Sequence, residues 1–287
     1  MMQRQKKRLR QLGSFALTLP ILLLIYLPVS WLVMSSTSTR TELLATPPRW
    51  IPAQPSIQNY LDILMPGVDA STVAKTFKAT LQNSLFVASA VTIVSVLFGS
   101  MAAYSLVRIA FPFRRLLLIG ILSVRMIPEI SLVIPLYVLA SQFQLLNTPY
   151  ILIATYLSFA LPYTIWLMSA FFETLPAELE EAARIDGCSR LGILFRIVIP
   201  ISTPGLVSTA FFVFLMAWDE FFFALIFTST MAAKTVPVAI AEFTGRYVVD
   251  ITGMMTGGVL AALPPVILAL VFQRYIVRGL TAGAVKG

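Results

Sequence analysis

Four ionisable side chains sit inside apolar runs of this chain: Arg125, Glu129, Asp219 and Glu220. On membrane-insertion scales a charge so placed costs at least roughly 2.5–3.5 kcal/mol, so each needs a partner or water. Arg125 and Glu129 are four residues apart, on one helical face, where they can pair. Trp218 precedes Asp219 and Glu220, and an aromatic face beside carboxylate acceptors suits a hydroxyl-rich ligand. The same groups could instead bond backbone freed by helix kinks, so both readings stand. The remaining chemical inventory is thin. There is no histidine, and Cys188 is the only cysteine. That excludes an internal disulfide and argues against thiol or histidine catalysis and against a metal centre. No G-x-x-x-x-G-K-[ST] run occurs, so ATP binding by this chain is not expected. The expectation is no catalytic residue, no metal and no bound cofactor.

Most of the chain is apolar. Hydrophobic residues make up 58% of its 287 positions and charged ones 12%, with a mean hydropathy of +0.86. Soluble domains run at roughly 45–50% apolar and about 25% charged, so the bilayer is the natural solvent. Six apolar segments can be read, near residues 15–34, 81–107, 116–139, 151–172, 201–227 and 254–277. Each reaches the roughly 20 residues a helix needs to cross hydrocarbon, and none shows the alternation of a barrel strand. The fold expected is all-α and integral to the membrane. Pro128 and Pro135, Pro162, and Pro264–Pro265 should kink or break their helices. Ala88, Thr92, Ser95, Gly99 and Ala103 form a small-residue stripe for close helix contact. The run Phe221-Phe222-Phe223 reads as lipid or helix packing.

Basic residues set the orientation. The tail bearing Arg4, Lys6, Lys7, Arg8 and Arg10 falls on one side with Arg108, Arg114, Arg115, Arg184, Arg190, Arg196, Arg274, Arg278 and Lys286. Fewer fall on the other: Arg40, Arg49, Lys75, Lys78, Lys234 and Arg246. Both termini are therefore expected in the cytoplasm, and this distribution explains the net charge of +8 better than nucleic-acid binding does. The first segment exceeds the roughly 7–15 residues of a signal-peptide core and reads as an uncleaved anchor. The organisation expected is a cytoplasmic tail (1–14), a first helix (15–34), an outer loop (35–80), a core of five helices (81–280) and a cytoplasmic tail (281–287). The outer loop, rich in proline from Pro47 to Pro66, reads as an irregular cap with a short helix around residues 56–64.

The most informative stretch is the inner loop over about 174–200. It reads as two short helices around a glycine. Pro176 suits a first helical turn, and Glu178 and Glu180 favour the positive helix end. Leu179, Ala182, Ala183 and Ile185 form an apolar stripe, continued by Leu191, Leu194, Phe195 and Val198. Gly187 suits the left-handed position after the first helix, and Ser189 is a cap for the second.

The run Glu181-Ala182-Ala183, then Gly187 after three residues, then Ile197-x-Ile199-Pro200 after nine more, resembles the EAA loop of ATP-binding-cassette importer permeases. Ile199 stands where leucine is commoner. Met126-Ile-Pro128, Ile134-Pro-Leu-Tyr137, Leu145-Leu-Asn-Thr148, Trp218-Asp-Glu-Phe221 and the tail from Gln273 to Gly287 are similar to the carbohydrate-uptake branch, closest to maltose-type inner-membrane permeases. The resemblance covers nearly all of the chain after the first loop. It implies the type I importer fold with six transmembrane helices and a cytoplasmic coupling loop in which Glu181, Ala182, Ala183, Asp186, Gly187, Phe195, Ile197 and Pro200 take part. It implies a second, homologous permease as partner, two ATPase subunits binding ATP and Mg, and an extracytoplasmic solute-binding protein. The tail from Arg274 would also touch the ATPase pair. The implied location is a prokaryotic inner membrane, and the implied solute a small carbohydrate or glycosylated polyol. Trp218, Asp219, Glu220, Arg125 and Glu129 would line its pathway, unless they bond kinked backbone or the partner permease. A glycerol phosphate ester is the alternative solute. An ion-coupled carrier using Glu129, Asp219 or Glu220 is the rival mechanism.

Overall fold

The computed structural model describes residues 2–47, 49–67, 72–230, 232–245 and 249–284. Pro48, Arg246, Lys286 and the end of the tail (285–287) lie outside the described residues. Among the described residues the regular structure is helical, apart from one antiparallel bridge between Thr244 and Val249. The helices are α1 (Met2–Ser36), α2 (Arg40–Leu43), α3 (Gln58–Leu64), α4 (Thr72–Arg108), α5 (Arg114–Ser123), α6 (Glu129–Gln142), α7 (Pro149–Phe172), α8 (Glu178–Ile185), α9 (Arg190–Ile193), α10 (Ile199–Ile201), α11 (Thr203–Trp218), α12 (Phe222–Phe227), α13 (Val236–Glu242) and α14 (Ile251–Ala284). A 3-10 turn (Val124–Met126) follows α5, and a π-turn (Leu194–Val198) joins α9 to α10.

Four stretches are unbroken and apolar enough to span a bilayer: Leu17–Ser36, Val73–Arg108, Pro149–Phe172 and Ile251–Gly279. Two bent helix pairs are apolar enough when taken together, 114–126 with 129–142 at 88° and 190–201 with 203–218 at 83°. Among the described residues that makes four unbroken candidate spans, or six if each bent pair is one span, and the third and fifth segments are not single rods. Pro128 has no N–H to continue the ladder, and it holds Ile127 extended (φ −73°, ψ 124°). The fifth segment, expected over 201–227, begins earlier, bends at Ser202, stops at Trp218 and resumes as the short α12. The helices continue through Pro135, Pro162 and Pro264–Pro265. Residues 2–14 of the expected basic tail belong to the same helix as the first span.

Two compact units make up the chain, Met1–Phe77 with Ile240–Ala262, and Lys78–Ala239 with Leu263–Gly287. In the first, the α1–α4 loop folds back on the end of α1. Asn59 donates to the Ser36 and Ser38 carbonyls, and Ser56 N–H donates to the Thr37 carbonyl. Thr39 and Glu42 cap α2 reciprocally. Glu42 also accepts from Ala53 N–H at 2.8 Å. The backbone donors of Thr39 and Ala53 hold its carboxyl below the usual carboxylate range.

The second unit centres on α7, whose Leu152, Tyr156 and Ala160 are fully buried. Val87, Ala88 and Val91 of α4, Phe214 of α11 and Phe223 and Phe227 of α12 belong to the same core. The small-residue stripe faces inward: Ala88, Ser95 and Ala103 are fully buried. A Cβ at Gly99 would stand 2.6 Å from Thr164 Cγ2, so α4 and α7 touch there because residue 99 has no side chain.

Candidate functional site

The α7–α11 loop is built by its caps. Acidic residues fill the first turn of α8, where the helix dipole favours them. Gly187 follows at φ +82°. Its N–H donates to the Arg184 carbonyl, and Cys188 N–H donates to the Ala183 carbonyl. This is the paired closure of a Schellman turn, which needs the left-handed residue that glycine supplies without cost. Ser189 then accepts from Gly192 N–H at 3.2 Å and starts α9. The expected pair of helices around a glycine is present, extended by the π-turn.

Its faces differ from those read in the sequence. The buried positions of α8 are Glu180 and Ala183, at 2% and 6% exposure. Leu179 and Ile185, expected with Ala183 in one stripe, are exposed, Ile185 at 87%. Leu194 and Val198 are buried, whereas Leu191 and Phe195 are exposed. The cause is a charge. Arg108 at the end of α4 donates from Nε to Glu180 Oε1 at 2.6 Å. Its NH2 group donates to the carbonyls of Phe172 (3.0 Å) and Leu175 (2.9 Å), and Tyr104 donates to Glu180 Oε2 at 2.9 Å. With Glu180 drawn inward, the long apolar residues turn outward. Glu181, Ala182, Asp186 and Pro200 are exposed with them, and Ile197 is half-buried. The exposed residues therefore include Leu179, Ile185, Leu191 and Phe195, with charges of both signs among them: Glu178, Glu181 and Asp186, and Arg184, Arg190 and Arg196. In the sequence Glu180 reads only as a helix-end charge and Arg108 only as a topological marker. The available signal was Tyr104 and Arg108, four apart at the end of one helix.

The membrane charges divide. A cavity of about 270 Å³ is lined by Arg125, Glu129 and Glu220 with Ser158, Phe159 and Met216 among its walls. Arg125 and Glu129 are not joined by an ion pair: the break at Pro128 ends the helix that would have put them on one face. The Arg125 guanidinium instead lies 5.5 Å from the centre of the Tyr163 ring. Glu220 caps α12, accepting from Phe223 N–H at 2.8 Å and Ala224 N–H at 3.2 Å. Trp218 and Asp219 do not line this cavity. Trp218 is buried and stacked on Phe214 at 5.5 Å, and Asp219 closes the C-terminus of α11. Phe223 is buried and stacks on Phe227, while Phe221 is partly exposed, as packing residues would be. Among the described residues no cluster of Cys, Asp and Glu could hold a metal ion.

Residues 95–282 match the family described as Binding-protein-dependent transport system inner membrane component. The chain is 40% identical to the Trehalose/maltose transport system permease protein MalG of Thermococcus litoralis, over 91% of each chain. It is 38% identical to the Trehalose transport system permease protein SugB of Mycobacterium tuberculosis, covering 91% of this chain and 92% of that one. In fold it resembles a chain of a bacterial ABC transporter that imports the polysaccharide alginate, with a TM-score of 0.78, 21% identity, and 94% and 97% of the two chains covered.

Proposed function

The chain belongs to the binding-protein-dependent transport system inner membrane components, the multi-pass permease subunits of ABC importers, and on that premise we propose that it moves a small carbohydrate or glycosylated polyol inward. The observation that carries the coupling part is the α7–α11 loop, two helices locked by a Schellman turn with Leu179, Ile185, Leu191 and Phe195 facing out. An apolar face ringed by charge is what a soluble subunit covers. In this reading the face seats in a groove of one ATPase subunit, and Glu181 meets a basic group there. ATP and Mg bind in the ATPase pair, whose closure drives the cycle. A second, homologous permease completes the pathway, and an extracytoplasmic binding protein delivers solute. Both termini lie in the cytoplasm, and the tail after Arg274 reaches the ATPase pair. The loop and the spans attached to it then form a two-state element that ATP and the loaded binding protein both bias.

The carbohydrate part rests on the relatives named for trehalose and maltose transport. The cavity agrees in its charges: two carboxylates against one guanidinium favour a neutral, hydroxyl-rich solute over a phosphate ester. The test is uptake of labelled trehalose, maltose, glycosylated glycerol and glycerol phosphates by cells with and without the gene. Saturable uptake of one sugar-like compound, lost on deletion, supports the proposal. Loss of glycerol phosphate uptake alone would replace the solute class.

A further inference from the structure

We infer that Arg108 is a positioning residue for transport: with Glu180 and Tyr104 it ties the loop to the ends of α4 and α7, so that all three move as one body. The inference rests on the importer reading above. Force enters at the exposed face of the loop and leaves it through this tie.

Three helices meet at one guanidinium and the carboxylate it holds. Glu180 comes from the first turn of α8, Arg108 and Tyr104 from the last turns of α4, and the Phe172 and Leu175 carbonyls from the end of α7 and just beyond it. The Phe172 carbonyl is among those a helix end leaves without intrahelical partners, at the negative pole, and Glu180 sits at the positive pole of its own helix. The tie thus satisfies two opposed helix ends at once. Its members are shielded, with side-chain exposures of 16% for Arg108 and 3% for Glu180. Apolar packing surrounds it: Met168, Phe172, Ala183, Ile193 and Leu194 are buried in the same cluster, and Tyr104 meets Phe172 edge-on. A guanidinium is a rigid fork with fixed donor directions, so one residue resists both sliding and rotation; an ammonium would hold the charge without the direction.

The other exit from the loop is built differently. It leaves through the π-turn at Leu194–Val198 and the 83° bend at Ser202, where the regular helical ladder is already interrupted. Stiffness lies toward α4 and α7, and compliance toward α11. A displacement of the loop therefore carries α4 and α7 and is absorbed at Ser202.

The test uses the complex purified from its native membrane through a tag on this chain. Spin labels are placed on Cys188 and on Ala110→Cys, the exposed residue two past Arg108. Dipolar distances are measured nucleotide-free and trapped with ATP and vanadate. With the tie intact, the distance is narrow and identical in both states. Arg108→Lys and Glu180→Gln broaden it and make it differ between states, while the ATPase subunits stay bound; Tyr104→Phe, losing one bond of four, broadens it less. A distance that changes between states with the tie intact would overturn the inference, as would variants that leave it unchanged. Variants that simply shed the ATPase subunits would also overturn it, by making the tie part of the docking surface. If no ATPase subunit co-purifies with the unmutated chain, the importer reading itself fails, a result separate from any of these.

Discussion

Two arginine–glutamate neighbourhoods of this molecule came out opposite to their spacing in the chain. Arg125 and Glu129 are four residues apart and do not pair; Arg108 and Glu180 are far apart in sequence and do, at 2.6 Å. The difference lies in the backbone between them. Pro128 ends one helix before it can bring residues 125 and 129 onto a common face. At the other place, the end of α4 faces the end of α7 and the start of α8, and an arginine and a glutamate complement those poles. One neighbourhood is a fastening, whereas the other is part of the wall of a cavity of about 270 Å³.

Substitutions can sharpen or break that contrast. Arg108→Leu should have the largest effect, because it strands a buried carboxylate. We expect about 3–5 kcal/mol of destabilisation, read as a lowered unfolding temperature of the detergent-purified complex. Arg125→Leu should cost no more than about 1 kcal/mol, the scale of an exposed cation–π contact, yet still weaken uptake by raising KM. Equal losses of stability at 108 and 125 would erase the distinction. Between these lies Gly187→Val. A β-branched residue at φ +82° costs about 1–2 kcal/mol or distorts the turn, so transport should fall with membrane insertion intact. Normal transport with the ATPase attached would contradict the turn's role. Glu181→Lys, on the exposed outer face, should leave stability within about 0.5 kcal/mol while ATPase co-purification is lost.

A smaller effect belongs to the α1–α4 loop. The Glu42 carboxyl is held below its usual range in the folded loop, so its contribution is present above the unfolded pKa and lost as pH falls through the folded one. Exchange protection of the Thr39 and Ala53 amides should drop on acidification and become pH-independent in Glu42→Gln.

The spans, the glycine turn and the Ser189 cap were legible in the sequence because each is a local rule of periodicity or capping. The side of α8 that faces inward was not. Periodicity assigns the core to apolar residues, and Glu180 defeats it because its partner is far away in the chain. The same limit applies to the bends, where Pro128 announced a break but not an 88° turn. Trp218 looked like a ligand platform beside two carboxylates, but it lies in the interior against Phe214. Glu220 was legible as a residue that must find a partner, and its carboxylate accepts from the amides of Phe223 and Ala224 while it also lines the cavity.

The central claim, that this permease is driven by ATP through the α7–α11 loop, is tested most directly in proteoliposomes. The purified complex is reconstituted with ATP inside, binding protein outside and labelled trehalose as probe. The account predicts uptake that requires internal ATP, persists when ion gradients are collapsed, and disappears in Glu181→Lys. Uptake that follows an imposed ion gradient without ATP would contradict it.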